Sequence, residues 1–135
     1  MGILGGVEEK QSSRPLSDYE AHSLAMSLPI GRVVTELVEI LGATTVAIIG
    51  GVTETRAVQQ WTTGREPHRV HVLRFTLQIA RMIAEESDGY EAVRAWFQGS
   101  NPMLDDAIPA LLLRSEPLEK VQAPLMRAAR AFAAR

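Results

Sequence analysis

Residues 47–67 read AIIGGVTETRAVQQWTTGREP, and the punctuation of this stretch decides how the rest of the chain is understood. A short apolar run, Ala47-Ile48-Ile49, meets Gly50-Gly51, where the backbone can turn sharply without a Cβ penalty. After Val52, a second short helix is expected from Thr53 to Thr63, with Thr53 as its cap and Gly64 as its stop. Val58 and Trp61 are three apart, so one side of that helix can be clamped onto a core. Two short helices joined by a glycine turn make a helix-turn-helix, and Val52 would plug the angle between them. With Val58 and Trp61 inward, Thr55, Arg56, Gln59 and Gln60 are left to the other side. Those side chains suit a DNA major groove. Arginine can pair bidentately with guanine and glutamine with adenine, while threonine can bond either base or touch a thymine methyl. Thr44 and Thr45, at the start of the supporting helix, and Arg65 and Arg69, beyond the reading helix, are candidate phosphate contacts. An ordinary helical hairpin with a polar outer face is the competing explanation.

Outward from this stretch the pattern is helical throughout. Val33, Val34, Leu37, Val38 and Leu41 form an apolar stripe that Gly42 stops. Val70–Glu86 is the longest regular segment, with apolar residues on two faces, as in a helix sandwiched between neighbours. Asp88 or Gly89 opens a helix that turns Val93, Trp96 and Phe97 inward and closes at Gly99. Asn101-Pro102 and Pro109 bracket a tight region ahead of Leu111–Leu113. A last helix begins near Pro117, and Pro124 should kink or restart it near Gln122. Before all of these, residues 1–15 carry no apolar period, and Ser17 with Glu20 can cap a short helix ending before Pro29.

The expected fold is therefore all-α, with a helix-turn-helix lobe and a C-terminal helical lobe joined by a long central helix. Its parts are a flexible arm with a short helix over 1–29, a DNA-binding unit over 30–69 and a partner-binding unit over 70–135. Apolar residues make up 46% of the 135 and aromatics 5%, which suits a core of close-packed aliphatic helices.

The net charge is −2, so nucleic-acid binding cannot be argued from the molecule as a whole. Locally the balance varies. Residues 53–74 hold four arginines against two glutamates, residues 85–106 six acids against Arg94, and residues 114–135 five basic groups against two glutamates. These segments could present separate basic and acidic faces, or simply solvated ones. The chain has no cysteine, which excludes disulfides, thiol nucleophiles and thiolate metal sites and fits a reducing cytoplasm. No run approaches the ~20 apolar residues that span a bilayer. His68 and His71 share a spacing but lack the further ligands zinc needs, and Glu85-Glu86 and Asp105-Asp106 are adjacent pairs that point apart on a helix. No nucleophile elbow, P-loop or dinucleotide fingerprint is present, so neither catalysis nor a cofactor is expected.

The chain resembles the Xre/MbcA/ParS-type antitoxins over about residues 33–132. The first half carries the likeness through GVTETRAVQQWTTGREP, with its Gly-Val turn followed by Trp61 and Gly64. The second half carries it through AWFQGSNPMLDDAIPALLLR, which supplies Trp96, Phe97, Asn101, Pro102, Leu104, Asp105, Asp106, Pro109, Leu112 and Leu113. The resemblance implies a Cro-like helix-turn-helix followed by a helical toxin-binding domain. It also implies repression of the protein's own operon and neutralisation of a RES-domain toxin that degrades NAD or uses it for ADP-ribosylation. The region from Asn101 onward would face that toxin, with Asn101, Asp105 and Asp106 as candidate partner contacts. For this region the residues themselves allow a plainer role, with Asn101 capping a turn, Pro102 fixing φ and the aspartates on a solvated loop. A homo-oligomer matching two DNA half-sites is expected. A stand-alone repressor of phage-immunity type and a pure protein-interaction module remain the alternatives.

Overall fold

The computed structural model of the chain describes residues 27–135; the expected arm and the helix capped by Ser17 lie outside them. Among the described residues there are seven α-helices and one 3-10 turn, with no strand beyond an isolated pairing of Asn101 with Ala107. The fold is all-α. The helices are α1 (Ile30–Leu41), α2 (Ala43–Gly50), α3 (Thr55–Thr62), α4 (Val70–Glu85), α5 (Glu91–Gln98), α6 (Pro109–Ser115) and α7 (Leu118–Ala133), with the 3-10 turn at Pro102–Leu104.

Each boundary has a local cause. Pro29 precedes α1 and cannot itself continue a helix backward. Gly42 ends α1 at φ 90°, its N–H bonded to the Val38 carbonyl at 2.8 Å. Gly51 ends α2 in the left-handed region at φ 82°, with its N–H on the Ile48 carbonyl. The recognition-like helix α3 starts two residues later than expected, because residues after Gly51 are spent on the turn. Glu54, in extended conformation, takes the cap position instead of Thr53 and makes no side-chain cap bond.

The central helix α4 is sandwiched, as its two apolar faces require: it packs on α1 and α7 and also touches α2 and α5. Leu37, Ile49, Leu73, Leu77, Ile79, Ile83, Phe97, Leu113 and Leu125 are all fully buried. They belong to a single hydrophobic cluster, so the segments 30–69 and 70–135 share one core. Trp96 and Phe97 meet edge to face within it, with ring centroids 5.0 Å apart.

The expected restart does not occur in α7. The helix runs without a restart from Leu118 to Ala133, with Pro124 inside it. Pro124 removes the donor owed to the carbonyl of Lys120, which is exposed. Water can serve that carbonyl, and Val121, Leu125, Ala128 and Ala129 hold the helix to the core on the other side. No helix among the described residues is long and apolar enough to cross a membrane.

Arginines at the surface and half-buried between helices supply a second kind of cement. Arg94 donates to the carbonyls of Ile40 and Glu39 at the end of α1, and Arg74 to that of Leu28 at 2.6 Å. Arg81 meets Glu36 through two bonds of 2.6 and 2.5 Å between α4 and α1. A guanidinium suits the place Arg94 occupies because the last carbonyls of a helix lack internal donors and carry its negative dipole end.

Candidate nucleic-acid interface

Helices α2 and α3 and the turn 51–54 form a helix-turn-helix whose closeness depends on Gly50. A Cβ built there would lie 2.6 Å from Cη2 and 2.8 Å from Cζ3 of Trp61, so the indole lies directly on the α2 backbone. Val58 and Trp61 are 1% and 3% exposed, which fixes the rotation of α3. By the 100° step of a helix, the direction opposite those two residues is held by Arg56 and the following Thr63, with Gln59 and Gln60 equally far to either side. Arg56, Gln59 and Thr63 are exposed, as is Thr55 at the first turn.

The expected contact set divides under this geometry. Thr55, Arg56 and Gln59 are exposed on α3, as are Thr44 in the first turn of α2 and Arg65 just past the end of α3. Gln60 is half-buried, and its Oε1 accepts a bond from Arg65, so it is less free than its neighbour Gln59. Two members are corrected. Thr45 is 5% exposed, on the inner side of α2 with Ile49 one turn on, and its hydroxyl accepts from Gln98 Nε2 at 3.1 Å. It cannot also meet a phosphate. Arg69 is turned inward: its Nη1 donates to the carbonyls of Ile49 and Arg114, at 3.3 and 2.7 Å. The unbonded carbonyls at the end of α2 account for that inward turn.

Other features were not visible in the one-dimensional pattern. Thr35, Val38 and Ala43 line a groove of about 380 Å³ with Thr55, Val58, Gln59 and Thr62, so the outer side of α3 continues onto α1. Thr35 lies off the apolar stripe of α1, which could have marked it as a surface residue, but only the α1–α3 packing sets it beside Gln59. Thr63 was read as the helix end rather than as part of the outer face. Arg114 counts in the sequence only toward the basic balance of residues 114–135, and no local signal marks its bonds to the end of α2.

Electrostatically the surface is mixed. Arg56 and Arg65 are exposed, and so are Glu54 and Glu66. Arg69 and Arg74 keep their charge but spend donors on backbone carbonyls, so two of the four cations of residues 53–74 are less free to bond a phosphate directly.

At the other candidate region, Asn101 Oδ1 accepts from the Met103 N–H at 2.9 Å and so caps the 3-10 turn. The Asn101 N–H bonds the Ala107 carbonyl, and the Asn101 carbonyl receives Leu104 and Asp106, closing a compact loop. Asn101 is thus built into the turn, whereas Asp105 and Asp106 are exposed at its tip, both at positive φ (55° and 64°). No group of three potential metal ligands occurs among the described residues. Comparison with protein-family models, with curated proteins and with solved structures finds no match to this chain.

Proposed function

We propose that the chain is a sequence-specific DNA-binding repressor of the antitoxin type, which holds operator DNA through α2–α3 and a RES-type toxin through its second half. One observation carries the DNA part: Arg56 and Gln59 are exposed on the side of α3 opposite the buried Val58 and Trp61. A short helix pinned in this way can enter a major groove with an arginine and a glutamine leading, the pair of side chains best suited to guanine and adenine edges. Thr55 contributes at the same edge. Thr44, near the N-terminus of α2, and Arg65, just past α3, take the phosphate backbone. Dimerisation would present two such helices to half-sites about one helical turn apart.

A second function is favoured by the charge around α3. Exposed Glu54 and Glu66 offset Arg56 and Arg65, leaving little net attraction for a polyanion. A protein-interaction module without DNA binding fits that balance, with Asp105 and Asp106 contacting basic groups of a partner. The two are separated by a gel shift at moderate salt against the DNA upstream of the chain's own gene. Retarded DNA that survives excess random competitor supports the repressor; no retardation at micromolar protein leaves the interaction module. Co-purification with the product of the neighbouring gene tests the toxin, and phage-integration genes beside the chain would instead favour a stand-alone repressor.

A further inference from the structure

Four backbone carbonyls are gathered where α2 ends: those of Ile48 and Ile49 in its last turn, of Val52 in the turn toward α3, and of Arg114 near the end of α6. Arg114 Nη1 donates to Ile48 and Val52 at 3.0 and 3.1 Å. Arg69 Nη1 donates to Ile49 and Arg114, binding the second guanidinium's own backbone into the group. Arg69 also passes close over the turn, its Cδ 3.1 Å from where a Cβ on Gly51 would be. Gly51 is therefore needed twice, for its φ of 82° and for the room it leaves Arg69.

These bonds join positions 62 and 66 residues apart in the chain. The carbonyl of Val52 belongs to the residue that directs the backbone into α3. Holding it fixes the angle at which α3 leaves α2, and the holding group comes from the segment assigned to partner binding. Both arginines are half-buried, and each commits its Nη1 to backbone carbonyls.

We propose that Arg114 and Arg69 are positioning residues for the recognition helix: base reading by α3 depends on a clamp anchored in α6. This rests on the DNA-binding function proposed above and adds to it a dependence of sequence selectivity on the second half of the chain.

The test uses the full chain and three variants, Arg114→Ala, Arg114→Lys and Arg69→Ala, kept at a temperature where circular dichroism shows each fully folded. Affinity is measured for upstream DNA and for random duplex across several salt concentrations. Backbone amide exchange is followed by NMR. Arg114→Ala should lose on the order of tenfold in affinity for the upstream DNA. Its affinity for random duplex and its salt dependence should stay as in the parent, since no phosphate contact is removed. The Gly51 and Val52 amides should exchange faster, while those around Leu125 in α7 keep their protection. Arg114→Lys, which keeps the charge and N–H donors but not the reach and fixed planar geometry of the guanidinium that bonds Ile48 and Val52, should fall between, and it carries the comparison if the alanine variant does not fold.

Equal loss on both DNAs with a shallower salt slope would make Arg114 a phosphate contact and overturn the proposal. Unchanged selectivity with unchanged exchange at Gly51 and Val52 would overturn it as well. If the parent chain binds no duplex, the DNA-binding function fails by itself. The clamp is then judged on amide exchange alone, and faster exchange confined to the turn still supports it.

Discussion

Gly50 and Trp61 occupy one space: the indole of α3 lies where a side chain on α2 would otherwise be, with Cη2 2.6 Å from the missing Cβ. The two helices approach closely because position 50 has no side chain, and α3 acquires its rotation from the ring that fills the gap. Everything inferred about outward-facing groups follows from this contact. Gly50→Ala should therefore destabilise the fold by roughly 1–3 kcal/mol, the usual range for overpacking a filled core. Urea denaturation measures it. Trp61 is 3% exposed and has no free side to retreat to, so a change below a few tenths of a kcal/mol would mean that α2 and α3 are less tightly docked than described.

Arg65 is exposed just beyond α3 and is assigned to phosphate. Arg65→Ala should weaken binding to upstream and random DNA alike and lower the slope of log affinity against log salt by about 1. Because Arg65 also bonds Gln60, the variant frees that glutamine, and a modest change in preference at one base pair is expected beside the uniform loss. A loss confined to the upstream sequence, with the salt slope intact, would contradict the phosphate role.

Asp105 and Asp106 hold consecutive left-handed conformations, which a non-glycine residue adopts at a cost of about 1 kcal/mol or more. Asp106→Gly, at φ 64°, should raise stability by a few tenths to 1 kcal/mol in thermal denaturation, since relief of strain is partly offset by greater freedom in the unfolded chain. The same variant should lose affinity for the neighbouring gene product if the aspartate contacts it. Stability gained with partner affinity unchanged would leave the aspartates as turn residues only.

Much of the architecture could be read from periodicity. The stripe Val33–Leu41, the double-faced α4 and the Val58/Trp61 pair are local patterns, and local patterns are what hydrophobic spacing encodes. Glycines 42 and 51 end their helices at positive φ, as their lack of a Cβ suggests, whereas Gly99 ends its helix in extended conformation at φ −100°. Departures came where a partner distant in the chain decided the outcome. Thr45 was assigned to phosphate by its place at a helix start, yet Gln98, fifty-three residues away, holds it inside. Arg69 was grouped with Arg65 by charge, while the end of α2 and the backbone of α6 claim it. Pro124 predicts a kink or restart of the last helix; no restart occurs, and Leu125 and Ala128 hold α7 to the core. Spacing can place a residue on a face of its own helix. It cannot tell which face a neighbouring helix will cover.

The outward setting of Arg56 is the central claim, and its replacement tests it most directly. Binding of the parent chain and of Arg56→Ala should be compared on upstream DNA, on the same DNA with each base pair changed in turn, and on random duplex. The expected result is a loss of about 1–3 kcal/mol on the upstream DNA, with relaxed preference at one base pair and little change on random sequence. Equal affinities of the two proteins for the upstream DNA, or an equal loss on every duplex, would contradict the account.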